Sequence, residues 1–146
     1  MRNRVEVMHG VNFDVLDRRD PDHYGGLTLT ELEARVKRFA RELGLEVLFS
    51  QTNHEGEFCE NLHRAARSAD GLVLNPGAWT HYSWAIRDAL EVAQLPAVEV
   101  HLSAVGEREE WRLVSVIRDL CVGCVQGKGV AGYRDALEML KEAMQR

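Results

Sequence analysis

At 146 residues, 45% hydrophobic and 28% charged, the chain has the length of one domain and the composition of a soluble globular protein, which excludes intrinsic disorder. Lys and Arg number 18 against 23 Asp and Glu, for a formal charge of -5, and the basic residues are scattered, so nothing offers a phosphate backbone an electrostatic track. The opening Met1-Arg2-Asn3-Arg4-Val5-Glu6 lacks the apolar core of a signal peptide, and no run of ~18 apolar residues is there to span a bilayer; the expectation is a cytoplasmic protein that engages neither nucleic acid nor membrane.

Val5–Met8 is the first short apolar run and reads as a strand. Glu6 is its misfit, because a charge in a doubly buried strand needs a partner. A glycine-bounded loop, residues 17–26, follows. Leu29, Leu32, Val36, Phe39 and Leu43 then step by three and four as the seam of a helix, with Thr28 three before Glu31 as a capping box and Gly44 as a left-handed stop. Leu45–Phe49 predicts a second strand, Phe58, Leu62 and Ala65 a second helix, Leu72–Leu74 a third strand and Trp84 to Val92 a third helix. Ala97–Val100 is the fourth strand, followed by a short charged helix over Glu107 to Leu113. Cys121–Val125 is the fifth, and Val130, Tyr133, Leu137, Leu140 and Met144 mark a last helix.

Strand and helix alternate to the end, the pattern of a parallel sheet covered on both faces. Crossovers of this kind are right-handed, so the expected fold is α/β: a flavodoxin-like, doubly wound, five-stranded parallel sheet of order 2-1-3-4-5 in three layers, with residues 1–146 as one domain. There are no internal repeats. The three cysteines cannot close a disulfide framework. Cys121 and Cys124 have the spacing of a redox pair or half a zinc site, but three apart on a strand they face opposite sides, and they read as small buried hydrophobes.

Ligands of such sheets bind beyond the carboxyl ends of the strands. Those ends carry an excess of polar types: His9-Gly10-Val11-Asn12 after the first strand, Gln51-Thr52-Asn53-His54-Glu55 after the second, Asn75-Pro76-Gly77-Ala78 after the third, and Glu99-Val100-His101-Leu102-Ser103 at the fourth. Asn and Gly are also ordinary loop residues, but turn chemistry alone would supply fewer of the rest.

Together with Arg19-Asp20-Pro21, Tyr24-Gly25, NHEGE (53–57), NPGAWTH (75–81), AIRDAL (85–90), EVHLS (99–103) and REEWR (108–112), these blocks make the whole chain resemble a type II 3-dehydroquinate dehydratase. The resemblance implies a flavodoxin-like fold, no metal or organic cofactor, and anti elimination of water from 3-dehydroquinate through an enolate to give 3-dehydroshikimate. It also implies a homododecamer built as a tetramer of trimers.

The chemistry can be reasoned from the residues too. Removing a proton beside a ketone needs a base, a holder for enolate charge and an acid for the departing hydroxyl. Tyr24 is the candidate base; a free phenol titrates near ~10, so it needs a cation beside it, and Arg19 in the same loop can supply one. That loop suggests a lid. A tyrosine there could equally be a surface anchor. His101 is the candidate acid, with Glu99 two residues away on the same strand face to orient and charge the imidazole. The two could also merely satisfy each other, or join His54 around a metal, for which a distant third ligand is poor support. The resemblance gives Asn12 the enolate, directly or through a water, and gives Asn75, His81, Leu102, Ser103 and Arg112 the substrate's carboxylate and hydroxyls. Asp88, by the same resemblance, reaches a neighbouring subunit's site. Arg108 and Arg112, four apart on the short charged helix, share a face, so Arg108 is either a second cation for Tyr24 or a solvated partner of Glu109 and Glu110.

Several positions depart from the family's habit. His9-Gly10-Val11-Asn12 stands for Asn-Gly-Pro-Asn, Asp17 for a lid glycine, Ala104 for an Asn, and Arg118-Asp119 for Ser-Pro. These leave open a paralogue acting on a related cyclic hydroxy-keto acid, or an oligomer that binds such an acid without turning it over. A phosphate-binding flavodoxin-type module lacks the hydroxyl-rich loop it would need.

Overall fold

The computed structural model describes residues 2–146. Strands β1 (Arg4–His9), β2 (Glu46–Gln51), β3 (Gly71–Asn75), β4 (Ala97–His101) and β5 (Gly123–Gln126) form one parallel sheet in the order β2-β1-β3-β4-β5. The helices are α1 (Pro21–Tyr24), α2 (Leu29–Glu42), α3 (Glu55–Ser68), α4 (Trp84–Ala93) and α5 (Ala131–Met144). The predicted flavodoxin-like architecture is therefore the observed one.

The chain winds outward in both directions from β1 and β3, so their crossovers leave on opposite faces and a crevice opens beyond their carboxyl ends. Val5 and Val7 point to the face covered by α2 and α5; Met8, Leu72 and Leu74 point to the face covered by α3 and α4. Both layers exclude water. Each fully buried Leu or Val contributes roughly 1.5–3 kcal/mol, and the three central strands, buried on both sides except at Arg4, hold most of them.

Local signals explain the ends of α2. Thr28 accepts from the Glu31 N–H at 3.1 Å while the Glu31 carboxylate accepts from the Thr28 N–H, and Gly44 takes φ +76° just past the end. Glu6 is buried, and its carboxylate accepts from Arg64 Nη2 at 2.8 Å and from Ser50 Oγ at 3.1 Å. The misfit charge has its partners.

Two expectations need correction. The charged segment after β4 is not one helix but two 3₁₀ turns, Val105–Glu107 and Glu110–Leu113, because Trp111 and Leu113 stay exposed and no apolar stripe exists to stabilise an α-helix. Cys121 lies before β5, not on it. Burial pushes the Cys121 thiol up to about 12 and the Cys124 thiol up to about 11, so neither is poised as a nucleophile. Among the described residues no three His, Cys, Asp or Glu side chains converge as a metal cluster would, and no helix is long and apolar enough to cross a membrane.

Candidate active site

A cavity of about 140 Å³ opens at the carboxyl ends of β1, β3 and β4. Asn12 and Asn75 line it from the ends of β1 and β3, and His101, Leu102 and Ser103 from the end of β4. Arg19, Tyr24, Arg108 and Arg112 close the opposite side. Nine of the candidate residues thus meet in one place although they span residues 12–112 of the chain.

Residues 17–26, expected as a lid, are more ordered than a plain loop. The 3₁₀ turn Phe13–Arg18 leads to Asp20, whose carboxylate caps the Asp22 N–H at 2.9 Å; Pro21 starts the one-turn helix α1, and Gly25 ends it at φ +80°. That turn sets Tyr24 back against Arg19. Arg19 Nη2 donates to the Tyr24 hydroxyl oxygen at 2.7 Å, with its guanidinium 4.3 Å from the ring centroid. Arg108 Nη1 donates to the same oxygen at 2.8 Å and to Ser103 Oγ at 3.2 Å. Two cationic donors on one phenol oxygen stabilise negative charge there. Arg108 is therefore a cavity residue and not a solvated one, although the helix that was to bring it there is absent. Arg112, also in the wall, stacks its guanidinium 4.1 Å from the Trp111 ring and donates from Nε to Glu109 at 2.8 Å.

Across the cavity, His101 Nε2 donates to Glu99 Oε2 at 2.7 Å; a carboxylate can only accept, so the ring hydrogen is assigned to that nitrogen. Glu99 is fully buried. Burial works against its charge, but hydrogen bonds from His101, from Arg118 Nη2 at 2.7 Å and from Ser115 Oγ at 2.6 Å together hold its pKa down to about 2. Arg118 and Ser115 were missed in the sequence. They lie 19 and 16 residues along the chain, and no local pattern links them to β4.

His81 stands behind His101, not in the wall. Its Nδ1 donates to the Val114 carbonyl at 2.6 Å, and its ring stacks on His101 with centroids 6.1 Å apart at 21°. Burial lowers the His81 pKa, which favours the neutral ring. Asp88 is exposed on α4 and lies outside this cavity. Asn12 adopts φ +72° just past β1, and its N–H donates to Asn53 Oδ1 at 2.8 Å. Gly10 must be glycine, since a Cβ there would sit 2.2 Å from the Pro76 carbonyl oxygen. That approach locks the ends of β1 and β3 together beneath Asn12. The carbonyls of Leu102 and Ser103 accept from Gly129 and Gly127 at 3.1 Å each, tying the β4 end to the start of α5.

The model of the family described as Dehydroquinase class II matches residues 3–141. A 3-dehydroquinate dehydratase from Pelotomaculum thermopropionicum is 46% identical over 134 residues, 92% of this chain and 93% of that protein. One from Thermotoga maritima is 45% identical over 142 residues, 97% of each. The crystal structure of a type II dehydroquinase from Butyrivibrio crossotus superposes with a TM-score of 0.91 at 39% identity, covering 96% of this chain and 98% of that one. With a matching family model over nearly its whole length and relatives close to half identical, the chain belongs to the class II dehydroquinases.

Proposed function

We propose that the chain is a 3-dehydroquinate dehydratase working through an enolate, with Tyr24 as base and His101 as acid. The observation that carries this is one phenol oxygen held by two guanidiniums on one side of a small cavity, facing an imidazole held by a buried carboxylate on the other. As phenolate, Tyr24 takes the proton beside the ketone. Arg19 and Arg108 hold the phenolate between turnovers. Asn12 meets the enolate oxygen, directly or through a water. His101, oriented by Glu99, then protonates the departing hydroxyl from the opposite ring face, which makes the elimination anti. Asn75, Leu102, Ser103 and Arg112 hold the substrate's carboxylate and hydroxyls, and His81, behind the wall, backs the His101 ring. No step calls on a metal or organic cofactor.

We read the working form as a cytoplasmic homo-oligomer, a dodecamer arranged as a tetramer of trimers, in which Asp88 serves a neighbouring subunit's cavity. Support comes from apolar surface gathered near the site: Tyr82, Trp84, Trp111, Leu113 and Val114 are each about half exposed or more, far more large apolar surface than a lone subunit gains from showing.

The test is purified protein with 3-dehydroquinate, followed by 3-dehydroshikimate absorbance. Turnover by the wild type and loss of at least about 10³-fold in kcat for Tyr24→Phe are expected. A wild type that binds the acid without product, or a Tyr24→Phe variant as fast as wild type, contradicts the reading.

A further inference from the structure

Behind the cavity floor lies a buried polar chain that runs from Asn75 to two residues the elimination does not itself use, His9 and Tyr133. His9 ends β1 and Asn75 ends β3, and the register places them side by side. His9 is fully buried; its Nε2 lies 2.9 Å from the hydroxyl of Tyr133 on α5. Asn75 Nδ2 donates to that same hydroxyl at 3.2 Å. The His9 ring also stacks on Phe13, a wall residue, with centroids 4.7 Å apart at 28°.

The donors fix the direction of this chain. The Gly77 N–H can only donate, and it faces Asn75 Oδ1 at 3.4 Å, so the amide turns its Nδ2 to Tyr133. The phenol oxygen accepts there, and its single hydrogen is left for His9 Nε2. The phenol hydrogen, buried, needs an acceptor, which assigns Nε2 as the unprotonated nitrogen. Burial pushes the His9 pKa down to about 3, so the ring stays neutral and keeps its acceptor through the physiological range. Among the described residues its other nitrogen, Nδ1, has no partner. A His9 that donated from Nε2 would leave the buried phenol hydrogen without an acceptor unless the Asn75 amide swung its oxygen over and lost its bond to Gly77.

We propose that His9 and Tyr133 are positioning residues, which hold the Asn75 amide so that its second N–H faces the cavity and meets an acceptor oxygen of the ring acid. This rests on the dehydratase reading and extends it to two residues that touch no substrate. Asn75 reaches the substrate as a donor because a histidine behind the sheet end accepts.

The test is steady-state kinetics of 3-dehydroquinate dehydration for the full chain and for Tyr133→Phe, His9→Leu, His9→Gln, Asn75→Ala and the Tyr133→Phe/Asn75→Ala double variant. Tyr133→Phe is expected to raise KM about tenfold with kcat within about threefold. His9→Leu should do the same, whereas His9→Gln, whose Oε1 reaches the Nε2 position as an acceptor, should stay near wild type. In the Asn75→Ala background Tyr133→Phe should add nothing to KM. An unchanged KM, or the same factor in both backgrounds, overturns the proposal in favour of packing alone. If Tyr133→Phe does not fold, the His9 pair decides, and equal KM values for His9→Leu and His9→Gln overturn it. A wild type that forms no product removes the dehydratase reading and this one with it; an active wild type with indifferent variants removes only this one.

Discussion

The two sides of the cavity are built on different principles. The phenol side hangs on short pieces: a 3₁₀ turn and a one-turn helix with no buried residue of its own, joined to Arg108 in a second stretch of turns. The imidazole side sits on β4, buried along its whole length, and its carboxylate is gripped by His101, Ser115 and Arg118, with the Cys124 thiol donating at 3.7 Å as well. Segments with few buried contacts open at little cost, and segments in the sheet do not. A substrate must pass one wall, and the weakly packed one is the wall that carries Tyr24. The charge that must stay in register during catalysis is the one fixed in the sheet.

Breaking the phenol side should cost most in rate. Arg19→Met leaves one cation on the hydroxyl and should lower kcat about 10²- to 10³-fold, with Arg19→Lys recovering part of it; steady-state rates check this. On the imidazole side, Glu99→Gln keeps shape and removes charge. It should lower kcat about 10- to 100-fold and destabilise the fold as well, because Arg118 loses its buried counter-charge.

A pH series of denaturant melts separates the two kinds of buried group. Glu99, with its pKa lowered to about 2, contributes stability that is complete above the usual carboxylate range and is lost only as pH falls from about 4.5 toward 2. His9, lowered to about 3, contributes stability that is complete above pH ~6.5 and declines as pH falls below it, because the unfolded chain takes up a proton that the folded one refuses. Between pH 6.5 and 5 His9 alone should therefore cost about 2 kcal/mol, with His81 acting in the same direction. His9→Gln should flatten that slope, and a slope unchanged by the substitution would contradict the assignment. The smallest effect is expected for Arg118→Ser. With Ser115 and His101 still on Glu99, kcat should change by only a few-fold.

Much of this was readable along the chain because it rests on local periods. Alternation by two put Glu99 and His101 on one strand face, steps of three and four gave α2 its buried seam, and Thr28 with Glu31 marked where it begins. The rule that ligands sit beyond strand ends then collected Asn12, Asn75 and His101 into one place. What was not readable depends on distant partners. Ser115 and Arg118 reach Glu99 from loops whose path is set by packing of the whole layer, and Tyr133 meets His9 across 124 residues. In the sequence Tyr133 is only a seam residue of the last helix, because nothing in a helical period distinguishes a buried phenol that bonds from one that merely packs. Arg108 was placed beside Arg112 by a helix that does not form; both reach the cavity because the turns carry them there.

The most direct test asks which side removes the proton. In deuterated water, 3-dehydroquinate is incubated with His101→Asn and with Tyr24→Phe, and deuterium at the carbon beside the ketone is followed alongside product. With Tyr24 as base and His101 as acid, His101→Asn should exchange that hydrogen faster than it releases 3-dehydroshikimate, and Tyr24→Phe should do neither. Exchange that survives in Tyr24→Phe, or is absent from His101→Asn, would contradict the division of labour between the two walls.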